Sequence, residues 1–405
     1  MRLELEADIE YLVVEGVWQY YRTTGDFEWV KSVLPRLEKA INYMTSSPKR
    51  WNKEYGLVVR PFTIDTWDFT NDPASQTDRR IHENEPMCAM HGDNSGVYEA
   101  MNILAFFNDK LGEHDKAEEW RSRAAELKNN MFKHLWNGKF FIHQLHINHD
   151  GIDDKENERL SLSNGYDINR GVTDISQSRS IIEEYMARRK TTTAFAEWFS
   201  IDPPYADFKG YAPGKYVNGS ISPFTAGEIA LAAFKNGYEE YGWDIISRFI
   251  DIAERDKSVA FLYFPGDGAP QNGSGPSGWG SAALLNAVDE GLCGVYDKDC
   301  LYREIDFSPR LVVTGYKELR FITGYELSHK FVDVRFIIKD VGMRYNVYSD
   351  AEKINFHILL PKGKTCRALI VDGEQTPFEA VRVGDSAYVD FSYAPSSRVS
   401  AEILF

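Results

Sequence analysis

Apolar positions recur at spacings of three and four along the first three hundred residues, which predicts a succession of helices. Residues 7–23 form the first, with Leu12, Val13, Val17, Tyr20 and Tyr21 as its apolar positions. It stops at Thr24-Gly25, and Asp26 suits the N-cap of a second helix striped by Trp29, Val33, Leu37, Ile41 and Met44. A third runs over 95–111, after His91-Gly92-Asp93-Asn94. The fourth, 115–134, carries Ala117, Trp120, Ala124, Leu127 and Met131 on one face with charge opposite. A fifth covers 174–189, and a sixth opens at Ser222-Pro223 and ends at Gly237. Residues 239–255 and 279–292 complete about eight helices. Short tight turns alternate with long loops, the rhythm of stacked helical hairpins whose long loops collect on one rim.

From about residue 306 the period changes to alternation. Phe331–Ile338 and Ile354–Leu360 read as strands, punctuated by turn signals at Pro361-Lys362-Gly363, Asp372-Gly373 and Gly384-Asp385. A hundred residues of short strands predicts an antiparallel β-sandwich. The boundary falls at 296–305, giving a helical domain over 1–300 and a sandwich over 301–405.

Composition narrows the function classes. The 405-residue chain has 46 Lys+Arg against 61 Asp+Glu, a formal net charge of −15. That balance argues against a nucleic-acid partner. No apolar run approaches the length of a membrane span. The N-terminal stretch carries acids and no basic n-region, unlike a signal peptide. Cys88, Cys293, Cys300 and Cys366 are scattered, with no CxxC pair, and read as free thiols of a cytoplasmic protein, although Cys293 and Cys300 could meet across a loop. Aromatic residues make up 14% of the chain, enough to supply flat surfaces as well as core.

The long loops hold the residues with chemistry. In Arg60–Asp72, Trp67 and Phe69 bracket Asp68. A carboxyl held against apolar surface has a raised pKa and can donate a proton near neutrality. A loop acid capping a helix or bonding backbone amides is the alternative. Ser161–Gly171 offers Asn164, Tyr166, Asp167, Asn169 and Arg170 to a polyhydroxylated ligand, or else forms a turn with an Asp167–Arg170 ion pair. Trp198 is either a stacking platform or core, with Glu197 beside it and Asn218 further on. Residues 257–278 are rich in glycine, but no Lys-Ser/Thr follows and no β–loop–α unit precedes, so a nucleotide cradle is not expected. His143, His146 and His149 fall in a strand-like stretch where a spacing of three alternates faces, which disfavours a three-histidine metal site.

Taken together, these segments resemble the six-hairpin glycosidases. Thr66-Trp67-Asp68-Phe69-Thr70 is similar to the Gly-Trp-Asp-Phe-Ser stretch of trehalases and its counterpart in processing α-glucosidases. Asp93–Tyr98 with the helix that follows, and Asp115–Trp136, resemble the next hairpin; Gly278–Ala283 through Glu290–Leu292 resembles the final helix. The resemblance implies a mainly α fold: an (α/α)6-type helical toroid, incomplete at about eight helices and lacking its first two hairpins, followed by the C-terminal sandwich. It implies a glycoside hydrolase of inverting type, with Asp68 as general acid. The family's base is usually a Glu before the last helix, and 257–278 contains none. Asp267 is the acid in that part of the loop, with Glu197 as second choice. Trp67, Trp198 and Trp279 are expected to stack the sugar, and Asp93, Tyr166, Asp167, Arg170 and Asn218 to hold its hydroxyls. The expected partner is a carbohydrate, and neither a metal nor an organic cofactor is called for. A glycoside phosphorylase on the same barrel, or a non-catalytic carbohydrate-binding protein, are the alternatives.

Overall fold

The computed structural model describes residues 4–65, 80–271, 275–394 and 397–405. Nine α-helices lie among the described residues: α1 Ile9–Thr24, α2 Phe27–Met44, α3 His91–Lys110, α4 His114–Leu135, α5 Asn164–Asn169, α6 Ile175–Thr191, α7 Pro223–Lys235, α8 Glu239–Asp256 and α9 Gly278–Asn286. A π-helical stretch, Ala287–Cys293, continues α9. Strands are more numerous than expected, so the chain mixes helix and sheet. None of the described helices is long and apolar enough to cross a membrane. The four cysteines are free.

The chain divides into two compact units, and the division does not fall at residue 300. The first comprises Met1–Trp18, Glu28–Thr225 and Ser258–Gly280; the second comprises Gln19–Phe27, Ala226–Lys257 and Ser281–Phe405. In the first, α4 forms as its pattern predicts, burying Ala117, Trp120, Ala124, Leu127 and Met131. Asp174 closes the start of α6 with a capping box: its carboxylate accepts from the Gln177 N–H while the Gln177 side chain accepts from the Asp174 N–H. The long loops pack against one another. Met87–Met90 pairs antiparallel with Arg60–Pro61 and with Gln144–His146, and Leu160–Ser161 pairs with Ile201–Asp202. Beneath them Phe62, Ile64, Met90, Ile201, Tyr205 and Leu262 form a buried apolar cluster. Loops that share pairing and core in this way hold the side chains on them in fixed positions.

In the second unit the sandwich strands are β1 Val295–Asp297, β2 Glu304–Phe307, β3 Glu318–Tyr325, β4 Lys330–Lys339, β5 Gly342–Tyr348, β6 Lys353–Leu359, β7 Ala368–Val371, β8 Glu374–Thr376, β9 Glu379–Val383, β10 Ser386–Tyr393 and β11 Arg398–Leu404. They form a six-stranded sheet ordered β3-β4-β5-β11-β7-β8 and a five-stranded sheet ordered β9-β10-β6-β2-β1. The expectation of an antiparallel sandwich needs one correction, because β2 and β6 run parallel. That pairing is possible because the β3–β4–β5 meander lies between the two strands in sequence, providing a long crossover. The sandwich also takes in one strand before residue 301, β1. Within this unit Glu239, at the start of α8, accepts hydrogen bonds from Tyr388 and from Ser386 (2.6 Å), so helix and sheet share a polar anchor.

Candidate active site

The first turn of α3 is wholly buried, from His91 to Gly96. Two glycines allow it: a Cβ at Gly92 would fall onto Ser163, and one at Gly96 onto the Tyr11 ring. This close approach puts His91 and Asp93 among the carboxylates of neighbouring loops. His91 Nδ1 lies 2.5 Å from Asp167 Oδ2, and its Nε2 lies 2.6 Å from Ser161 Oγ. Ser161 Oγ donates to Asp65 Oδ2 at 2.9 Å, and the Ser163 N–H donates to the same oxygen at 3.2 Å. Since the Ser161 hydroxyl has one proton and gives it to Asp65, His91 Nε2 donates to it while Nδ1 faces the Asp167 carboxyl, an arrangement that favours the imidazolium. Burial opposes that charge, but the field and hydrogen bond of Asp167 outweigh it and raise the His91 pKa. Burial likewise works against ionised Asp65, yet the charge of His91 and the bonds from Ser163 and Ser161 keep its pKa low.

Ser161, His91 and Asp167 have the connectivity of a hydrolase triad. All three are fully buried and the serine proton already points at Asp65, so no acyl group can reach the hydroxyl. The network is a scaffold. It continues from Asp65 N–H to His143 Nε2 (3.1 Å), and from His143 Nδ1 to Tyr205 OH (3.1 Å) and Glu156 (3.3 Å). His146 instead lies 3.3 Å from His149, and no group of three metal-ligating side chains occurs among the described residues.

Asp93 faces different surroundings. Its Oδ1 is 3.4 Å from the buried Arg60 guanidinium, while Oδ2 makes no hydrogen bond among the described residues. Burial pushes its pKa up to about 6 against the pull of Arg60. Such a carboxyl changes protonation near neutral pH. Next to it Arg170 donates to Gly92 O (3.1 Å) and Ser95 Oγ (3.2 Å) and pairs with Glu15 and Glu99, both at 3.1 Å. The expected Asp167–Arg170 pair is therefore replaced, Asp167 going to His91. Arg170 lies over the Tyr166 ring at 5.1 Å, and Tyr166 OH accepts from Trp279 Nε1 at 2.7 Å. Trp279 is 40% exposed and stacks on Phe224 with centroids 4.1 Å apart and planes 5° from parallel. Arg170, Tyr166 and Trp279 thus touch in series, with Arg170 reaching the start of α3 at Gly92 and Ser95, whereas Asp167 turns to His91 and Asp93 to Arg60.

The other expected residues lie elsewhere. Trp67 and Asp68 fall outside the described residues. Trp198 is 1% exposed, so its ring presents no face to a sugar and serves as core. Asn218 is buried, accepting from Tyr205 N and donating to Tyr205 O and Tyr211 O, so its amide holds backbone in place of a hydroxyl. Glu197 is fully buried with its carboxylate 3.7 Å from Arg189 Nε. Asp267 is exposed at the tip of a hairpin, its carboxylate accepting from Ala269 N–H at 3.0 Å. No motif in the sequence marks Asp65, Arg60, His91 or Ser161. Their signal was faint: a histidine and an aspartate on consecutive sides of a glycine at a helix start, after the apolar run Met87–Met90.

A trehalase family model matches residues 63–198. No curated protein matches. Among solved structures the chain is similar to an α-L-rhamnosidase from Dictyoglumus thermophilum, at 12% identity and TM-score 0.55 over 96% of this chain and 38% of that one. It is also similar to a GH78 family rhamnosidase of Bacillus sp. GL1, at 14% identity and TM-score 0.51 over 84% of this chain and 30% of that one. A sialidase matches at 14% identity and TM-score 0.55, over 82% of this chain and 29% of that one. The chain thus spans less than two fifths of the length of each of these structures. At such identities the likeness is one of fold. The chain has the six-hairpin glycosidase fold, with a trehalase-like segment at residues 63–198.

Proposed function

We propose that the protein is a glycoside hydrolase that cleaves a glycosidic bond of an oligosaccharide or glycoconjugate by inverting acid/base catalysis. The observation that carries this reading is the half-open Trp279 face, propped by Phe224 and Tyr166. An indole face takes the C–H side of a sugar ring. Asp68 is the general acid that protonates the leaving oxygen. Asp267, exposed to water on its hairpin, is the general base, and Glu197 is the second choice because it would first have to leave Arg189. Inversion needs the two carboxyl groups about 6.5–9.5 Å apart, room for the attacking water. The protein acts in the cytoplasm.

A panel of aryl glycosides and glycosyl fluorides identifies the sugar, and proton NMR of the first-formed anomer reads inversion. Asp68→Asn is expected to lower kcat at least a hundredfold; activity within tenfold of the parent removes Asp68 as the acid. The absence of Glu from residues 257–278 favours one second reading, a phosphorylase in which phosphate replaces the activated water. Turnover that requires inorganic phosphate selects it.

A further inference from the structure

The loop layer buries most of its aromatic rings, but Phe199 and Phe264 stay half-exposed. With Pro204, Pro213 and Pro265 they line a pocket of about 470 Å³. Two glycines fix its shape. Gly219 has φ +87°, and a Cβ there would come within 2.9 Å of Pro204; a Cβ on Gly214 would come within 3.2 Å of Pro265. Backbone bonds hold these segments, from Gly214 N–H to Asn218 O (2.8 Å) and from Phe195 N–H to Pro265 O (3.0 Å). The pocket is therefore formed before any ligand arrives, which lowers the cost of binding. Its volume falls in the range of small-molecule sites.

We infer that this pocket binds a planar apolar ring bearing an anionic edge, with the ring between the phenylalanine and proline faces and the edge toward Lys215. The lining sets the class. Five ring-bearing side chains supply flat hydrocarbon, and among the described residues no carboxylate or side-chain amide lines it to hold sugar hydroxyls. Lys215 lines the pocket, is exposed, and makes no ion pair among the described residues. Ring burial supplies the affinity and the ammonium the orientation. Phe261 packs near Trp279, with centroids 6.3 Å apart, and does not line the pocket, whereas Phe264 does. Trp279, Phe224, Phe261 and Tyr166 are all absent from the pocket's lining, so the pocket is separate from the Trp279 shelf.

Two sources supply this chemistry: the non-sugar half of a glycoside, which rests on the proposed function, or a free aromatic acid, which does not. The test titrates the full chain with 2-naphthoate and with neutral 2-naphthylmethanol, followed by saturation-transfer NMR. Saturable one-site binding of the naphthoate is expected. Lys215→Glu should weaken it about fivefold or more while leaving the alcohol within about twofold, and Phe264→Ala should weaken both about tenfold. No saturable binding, or binding that neither variant changes, overturns the assignment; Lys215 is exposed, so its variant remains informative if Phe264→Ala does not fold. KM for a 2-naphthyl glycoside, compared with the ring-free glycosyl fluoride, separates the sources. A rise in KM for the aryl substrate alone, in both variants, identifies the glycoside's ring as occupant, and an unchanged KM identifies the free acid. Failure of the fluoride to react counts against the hydrolase reading and leaves the naphthoate titration to decide the pocket.

Discussion

Asp93 shows burial and charge in direct competition. Arg60 alone would keep it ionised, yet its pKa sits at about 6 because burial outweighs one pairing at 3.4 Å. The folded carboxyl binds its proton more readily than the unfolded one, so its stabilising contribution is full below about pH 4 and is lost as pH rises through about 6. A carboxyl raised from its ordinary value to about 6 corresponds to roughly 3 kcal/mol. Thermal melts from pH 4 to 7 should therefore show the parent losing stability relative to Asp93→Asn by up to that amount, and parallel curves would refute the buried proton. His91 acts in the same direction at higher pH, because its pKa is raised: its contribution is present below about 6.5 and fades above its folded pKa. Replacing it by Leu strands Asp167 as a buried, uncompensated charge. The expected cost is about 3–5 kcal/mol in denaturant unfolding. The His91→Leu/Asp167→Leu double variant should lose clearly less than the sum of the two.

At the scale of elements, the helix patterns were legible where one face was apolar and the other charged. α4 is such a helix, and each of its five expected core residues is buried. α1 is apolar on more than one face, and there the phase slipped: Tyr11, Val14, Val17 and Tyr21 are buried, while Leu12 and Val13 are 45% and 49% exposed. α2 likewise buries Val30 and Leu34 and leaves Trp29 outside. Periodicity fixes a helix but picks its inner face only when the other face is polar. The start of α3 was legible as a helix start but not as a packing device. Alanine at Gly96 would gain up to about 1 kcal/mol of helix propensity. The Tyr11 ring it meets is buried and cannot swing aside, so a net loss of about 1–3 kcal/mol is expected from chemical unfolding. By contrast Asp174→Ala, which only opens the capping box of α6, should cost about 1 kcal/mol.

At the scale of the whole molecule, the division into units departs from the change in sequence period. Residues 301–405 expressed alone would lack β1, which pairs with β2, and the Glu239 anchor of Tyr388. That fragment is expected to show no cooperative melting transition, whereas a sharp one would mark it as an independent domain. The sequence alone determined the helices with one polar face, the switch to alternating strands, the loops that carry the chemistry, and the resemblance carried by Thr66–Thr70 and the later motifs. These are local properties, written in residue spacing. Only the tertiary structure decided that Trp198 and Asn218 are scaffold, that Asp167 goes to His91 while Arg170 goes to Glu15 and Glu99, and that Trp279 is the open ring. Each of those outcomes depends on which distant segment occupies the space beside a side chain, and no spacing along the chain records that.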